Sequence, residues 1–396
     1  MTPVNRLSGS VGRIPELDGL RGVACLMVVV FHYCPRAVLP FPVLWSTGVD
    51  LFFVLSGLLL GGICLDNRGA ANYFATFYMR RSCRIFPVYY AWIGFWLVLT
   101  AALPGFTNVF SPHFPAWPYL CYVQNFYMVA RHSSGPLFLT PTWTLAIEEQ
   151  FYIVLPALIW FCPNRRVLGG TVATLIGLAC VTRIVAWATQ PNWVDINYMW
   201  TFARWDGLFI GVLGAILVRR WDLLGPRQHK WLWVSAAVMC LLASPLTSAR
   251  VLGLGGELWA QIKPTLVGAL YLIAILIVLS NRLCGRLLSF GPLMRVGAIS
   301  YGTYLVHQGV LFLTLDSFGR YPEGALQDWG IRILALAMTL AVAAISFRYF
   351  ERPFIRFGHR WRYAERPVGI AARDELIPVG LGGAACRVVE SGFGKR

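Results

Sequence analysis

Arg21 and His32 stand eleven residues apart and are joined by an apolar run. On an α-helix that separation is about 16 Å of rise and three turns plus about 20 degrees, so both side chains share nearly one face. An ionisable group inside a bilayer costs about 2.5–3.5 kcal/mol or more, so a partner, a water-filled cavity or a function holds it there. An imidazole so placed can take a proton from a hydroxyl nucleophile. The structural alternative is a snorkelling arginine at the helix end and a histidine bonded across helices. Asp18 belongs to the same helix entrance, in Asp18-Gly-Leu-Arg21-Gly.

A second constellation is Arg81-Ser-Cys-Arg84. Two arginines three apart share one helical face. Guanidinium forks suit phosphate oxygens, so the pair could hold a phosphorylated co-substrate rather than act only as a positive anchor. Glu148 and Glu149 open a later apolar segment, and a carboxylate beside an imidazole can orient it and stabilise its protonated form. Adjacent helical residues diverge, so at most one of the two is expected to face a given cavity. The alternative for them is an acidic complement to a helix N-terminus.

Arg204-Trp-Asp206 sets two opposite charges at the start of another apolar run, as a salt bridge or as part of a substrate pocket. His307 lies in Ser-Tyr-Gly-Thr-Tyr-Leu-Val-His-Gln, with Tyr301 and Tyr304 on its helical side. It reads as a satisfied core histidine, with Tyr304 and His307 kept as pocket candidates. No C-x-x-C pair occurs among the ten cysteines, so a thiolate metal site is not expected.

The elements that carry these residues are set by composition. Of 396 residues, 57% are hydrophobic and 13% charged, against about 45–50% and about 25% in soluble domains. With 16 Trp, 16 Tyr and 25 Phe the chain is not disordered. The net charge of +16 is spread between apolar runs rather than gathered on one polar face, which argues against nucleic acid. An all-α polytopic membrane protein is expected. About ten apolar segments of spanning length lie near 22–42, 48–65, 86–103, 143–162, 167–188, 203–218, 231–247, 264–280, 299–315 and 330–349. The aromatic stretch 117–129 is too short to span and suits an interfacial or re-entrant segment.

With the N-terminus inside, 26 Lys and Arg fall on the cytoplasmic side and seven on the other, with Arg183 inside a span. That split follows the positive-inside rule and puts both termini, and Arg81 with Arg84, in the cytoplasm. No cleavable signal precedes the first run, so it reads as a retained span. No internal repeat of the transporter kind is visible. A membrane domain over 1–355 and a basic, poorly ordered cytoplasmic tail over 356–396 are expected, Glu351-Arg-Pro353-Phe closing the last span at a helix-ending proline.

These segments, in order, resemble the integral-membrane acyltransferase 3 family of bacterial O-acyltransferases. The matching stretches are Glu16 to His32, Gly48 to Gly57, Arg81 to Pro87, Thr142 to Tyr152, Arg204 to Gly207, Ile299 to Gln308 and Glu351 to Phe354. The resemblance implies a ten-helix enzyme of the inner membrane. It would transfer an acyl group, often acetyl, from acyl-CoA to a hydroxyl of a saccharide, a lipid-linked intermediate or a small molecule, with no permanently bound cofactor or metal. The family's Arg-x10-His motif falls on Arg21 and His32, with His32 as the catalytic residue, and its Arg-x-x-Arg motif on Arg81 and Arg84 as the donor-binding pair. Glu148 is the match to the family's glutamate, and Asp18 helps organise the donor end. Some members append an esterase-like domain; with none here, direct transfer within the membrane domain is expected, an acyl-histidine relay remaining open. The rival readings are a transporter or flippase of a glycan or lipid-linked intermediate, and a membrane sensor or scaffold whose contact surface is the basic tail. For an enzyme core ending near 355, removing residues after 360 should be tolerated.

Overall fold

A computed structural model describes residues 14–35, 38, 42–103, 110–111, 113–189, 198–220, 230–237, 256–318 and 325–364. Among these residues every regular element is helical, as a bilayer requires, because a helix satisfies its own backbone hydrogen bonds. Nine long helices follow in chain order: α1 (Pro15–Tyr33), α2 (Gly48–Asn67), α3 (Tyr73–Ala102), α4 (Thr142–Phe161), α5 (Arg165–Thr189), α6 (Thr201–Arg220), α7 (Gly256–Ser280), α8 (Gly291–Ser317) and α9 (Ala325–Ser346). Seven helical stretches are long and apolar enough to cross a membrane by length and composition, so the protein is a multi-pass membrane protein. The expected count of ten is not reached on that criterion. The first and ninth expected spans are present as α1 and α8 without meeting it. Of the seventh, 231–247, only the helical part to residue 237 is described.

Local chemistry sets the boundaries. Pro15 occupies the first turn of α1, where its missing N–H costs nothing, and Glu16 and Asp18 follow in that turn. The helix stops at Tyr33, nine residues short of the expected 42, because Pro35 disfavours helical backbone in the residue before it. In α3 the helix begins thirteen residues earlier than the expected 86 and continues through Pro87, so Arg81 and Arg84 do lie on one helix. The stretch near 117–129 is not one segment but two short helices, Trp117–Leu120 and Gln124–Ala130. Tyr122 between them stacks on Tyr89 of α3 with ring centroids 4.2 Å apart.

The last span also differs from expectation. After α9 comes a π-helical turn, Phe347–Glu351, and then a further helix, Arg352–Gly358, with Pro353 in its first turn. Proline is tolerated there, so it starts an element rather than ending one. The ordered core also runs past 355. Asn72 donates to the Arg362 carbonyl at 2.8 Å and accepts from the Ala364 N–H at 2.8 Å, and Arg80 Nε donates to the Trp361 carbonyl at 2.8 Å. The rest of the expected tail, 365–396, lies outside the described residues.

Two helix pairs form the centre, α2 with α6 and α1 with α8. Both cross at glycine. A Cβ on Gly57 would lie 1.9 Å from the Leu208 carbonyl oxygen, and one on Gly211 2.2 Å from that of Val54. Likewise a Cβ on Gly297 would lie 1.9 Å from the Asp18 carbonyl oxygen. Small residues at such crossings let backbones touch, which is what drives helix association once water is gone. Gly57→Ala therefore separates α2 from α6 and lowers the melting temperature in detergent, overpacking of this kind costing about 1–3 kcal/mol. A melting temperature equal to that of the unchanged protein would show that the crossing yields freely. Outward-facing apolar side chains such as Val98, Ile153 and Phe161 are 65–77% exposed, as a lipid-facing surface requires.

Candidate functional site

Helices α1, α2, α3, α4 and α8 enclose a cavity of about 170 Å³. Its wall brings together Arg21 from α1, Ser56 from α2, Arg81 and Arg84 from α3, Glu148, Glu149 and Tyr152 from α4, and Tyr304 from α8. Arg21 also donates to Asp18 Oδ1 at 3.1 Å, one helical turn back; Asp18 itself does not line the cavity. Neither Arg81 nor Arg84 forms an ion pair or hydrogen bond among the described residues. The three guanidinium groups share this wall with the carboxylates of Glu148 and Glu149, and their fork geometry suits an anionic ligand.

Glu148 Oε1 accepts a hydrogen bond from the Ser56 hydroxyl at 2.9 Å, so its partner is Ser56 and not His32. Glu149 also lines the cavity, against the expectation that only one of the pair would. The cavity wraps around α4 widely enough to take in two directions about 100 degrees apart. Glu149 is only 8% exposed, and its Oε1 has no hydrogen-bond partner.

His32 is not part of the cavity wall. It meets His307 instead, with ring centroids 4.9 Å apart, and the His307 ring lies 5.6 Å from that of Tyr304. Tyr304 lines the cavity and its hydroxyl accepts from Thr144 Oγ1 of α4 at 2.8 Å. The chain of aromatic contacts therefore leads from the arginine-lined space to His32 through Tyr304 and His307.

Arg204 and Asp206 lie outside this cavity and do not pair with one another. Arg204 reaches Asp50 of α2 at 2.6 Å, while Asp206 meets Arg183 of α5 at 2.9 Å and accepts from Thr265 of α7 at 2.7 Å. Residues two apart on a helix point to different neighbours, so each charge found its partner on another helix. Asp50 had a legible signal, being a lone carboxylate inside an apolar span. Ser56 had none, since a hydroxyl in a span is cheap and common.

At the N-terminal part of α3, the segment after Gly358 closes against the arginines. Tyr363 lies under the Arg80 guanidinium at 5.2 Å, and burial pushes its hydroxyl up to about 12. Burial first, then Arg80, Arg81 and Arg84, hold the His359 imidazole below its ordinary value.

The comparisons with known proteins fit this arrangement. A family model described as an acyltransferase domain matches residues 14–348. The peptidoglycan O-acetyltransferase OatA of Listeria monocytogenes is 28% identical over 87% of the chain and 56% of its own length. The putative peptidoglycan O-acetyltransferase YrhL of Bacillus subtilis is 29% identical over 88% of the chain and 56% of its own length. The O-acetyltransferase OatA of Staphylococcus aureus is 25% identical over 92% of the chain and 61% of its own length. The chain thus spans somewhat more than half of the curated relatives it matches. No solved structure matches it. With a family match that covers every helix building this cavity, the chain belongs to the acyltransferase 3 family.

Proposed function

We propose that the protein is an inner-membrane O-acyltransferase that moves an acyl group, acetyl in the first instance, from acyl-CoA to a hydroxyl of a cell-envelope saccharide. The observation that carries this reading is the convergence of Arg21, Arg81 and Arg84 on one cavity, the last two in no ion pair among the described residues. The names of the relatives support a glycan hydroxyl as acceptor. The charge distribution supports cytoplasmic termini and a cytoplasmic entrance for the donor.

Phosphates of the donor bind the guanidinium groups, and the thin pantetheine arm runs along the cavity toward Tyr304. His32 takes the proton from the acceptor hydroxyl as its oxygen attacks the thioester carbonyl. The new C–O bond forms, the C–S bond breaks, and the imidazolium returns the proton to the departing thiolate. Glu148, bonded to Ser56, acts as a fixed negative charge that favours the imidazolium rather than as its hydrogen-bond partner.

Arg81→Ala and Arg84→Ala test the donor assignment. Each charge-assisted contact is worth about 1.5–3 kcal/mol, so donor KM rises about tenfold or more per arginine and the effect shrinks with added salt. Measured on labelled acetyl-CoA in detergent-solubilised protein, an unchanged donor affinity would remove the CoA role from this pair. A flippase would release no CoA on addition of acceptor, which separates that reading from transfer.

A further inference from the structure

The hydrogen bonds around the two intramembrane histidines decide which nitrogen of each carries a proton. His32 Nδ1 lies 2.8 Å from the Val28 carbonyl oxygen, and His307 Nδ1 lies 2.6 Å from that of Tyr304. A carbonyl oxygen only accepts, so both Nδ1 atoms are donors. A neutral His307 then has its lone pair on Nε2, and that atom stands 3.4 Å from His32 Nδ1. The His32 Nδ1–H is shared between the Val28 carbonyl and the His307 lone pair. An imidazolium at His307 would set N–H against N–H at this contact, and His307 is fully buried, so the neutral form is the one that fits.

The same residue is gripped a second time. Tyr33, next to His32 on α1, donates its hydroxyl to the His307 carbonyl at 2.8 Å, and its oxygen lies 2.7 Å from Thr339 Oγ1 of α9. Two consecutive residues of α1 thus hold one residue of α8 at both its backbone and its ring. That double contact fixes the register in which the two rings meet.

From this geometry we propose that His307 is a positioning residue for acyl transfer: its Nε2 is a second acceptor, beside the Val28 carbonyl, for the His32 Nδ1–H, and it steadies the ring and the imidazolium that forms as Nε2 of His32 takes the acceptor's proton. The inference rests on the reading of His32 as general base given above. When His32 Nε2 takes the hydroxyl proton, the ring becomes an imidazolium and its Nδ1–H bond to the His307 lone pair strengthens. The contact is then strongest as charge develops, which is where a hydrogen bond accelerates a reaction. The proton later leaves His32 for the CoA thiolate, and both rings return to their starting tautomers.

The test compares His307→Gln, His307→Leu and His32→Ala in the full chain. The measurements are kcat and donor KM for labelled acetyl-CoA, with thermal-shift binding of CoA as a check on folding. Gln presents an acceptor oxygen near the place of Nε2 and retains kcat to within about tenfold, whereas Leu, of similar size without an acceptor, lowers kcat about 100-fold with donor KM unchanged. Equal activity of the Leu and Gln variants, whether both high or both lost with CoA binding intact, would overturn the inference. Full activity in His32→Ala would instead overturn the general-base reading, while an inactive His32→Ala beside a fully active His307→Leu removes His307 alone.

Discussion

His32→Ala is expected to lower acyl transfer from acetyl-CoA by about 10²–10⁴-fold, the contribution of a positioned general base. Donor affinity should not follow. The arginine-lined cavity does not include His32 in its wall, so the CoA binding proposed for that cavity should be the same in the variant. The imidazole meets Val28 on α1 and His307 on α8 and is no part of the cavity wall, so its removal should leave the α3 and α4 walls in place. The measurement is a single-turnover assay with labelled donor and a glycan acceptor, run beside CoA binding. Retention of wild-type turnover would sink the assignment of His32, and loss of CoA binding along with turnover would show that the histidine belongs to the donor site.

The second large effect is on stability. Asp206→Ala should cost about 3–5 kcal/mol, because it leaves the guanidinium of Arg183 uncompensated in the interior. Arg183 is fully buried in the bundle, where it donates to the Gln261 carbonyl at 2.7 Å, to Thr265 Oγ1 at 2.6 Å and to the Ala203 carbonyl. Its only charged partner among the described residues is Asp206. Thr265 would lose its acceptor in the same substitution. The double change Arg183→Leu with Asp206→Leu should be less harmful than Asp206→Ala, since no charge is then stranded. Thermal unfolding in detergent decides it: a single variant as stable as the unchanged protein, or a double variant worse than the single, would refute the pairing as a stabilising element.

The two predictions separate two uses of intramembrane charge. Asp50–Arg204 and Arg183–Asp206 tie α2 and α5 to α6 as matched ion pairs, with Thr265 of α7 hydrogen-bonded to Asp206. Arg81 and Arg84 are in no ion pair among the described residues and face a cavity that Glu148 and Glu149 also line. From the sequence both kinds look alike, as charges beside apolar runs. Arg204 and Asp206 were candidates for a substrate pocket on that basis, and nothing local distinguished them from Arg81 and Arg84.

Much of the architecture was legible in the order of residues, because the bilayer allows so few solutions. Apolar length specifies helices, proline positions trim their ends, and the 3.6-residue turn puts Arg81 with Arg84 and Arg21 with His32 whatever the neighbours do. Cation counts between runs give an expected orientation that depends on loops and not on packing. These properties are local, and local chemistry is enough to read them.

Packing across helices decided the rest. Glu148 turns to Ser56 rather than to His32, Glu149 joins it on the cavity, and His32 is met by His307. Each depends on which helices touch and at what rotation, and that is set by crossings such as Gly57 on Leu208 and Gly297 on Asp18, where a single missing side chain admits a neighbouring backbone. Residues 32 and 307 are 275 positions apart along the chain, and no period or spacing connects them. Only the closed bundle brings the two imidazoles to 3.4 Å and sets the His307 lone pair beside the His32 Nδ1–H as its second acceptor.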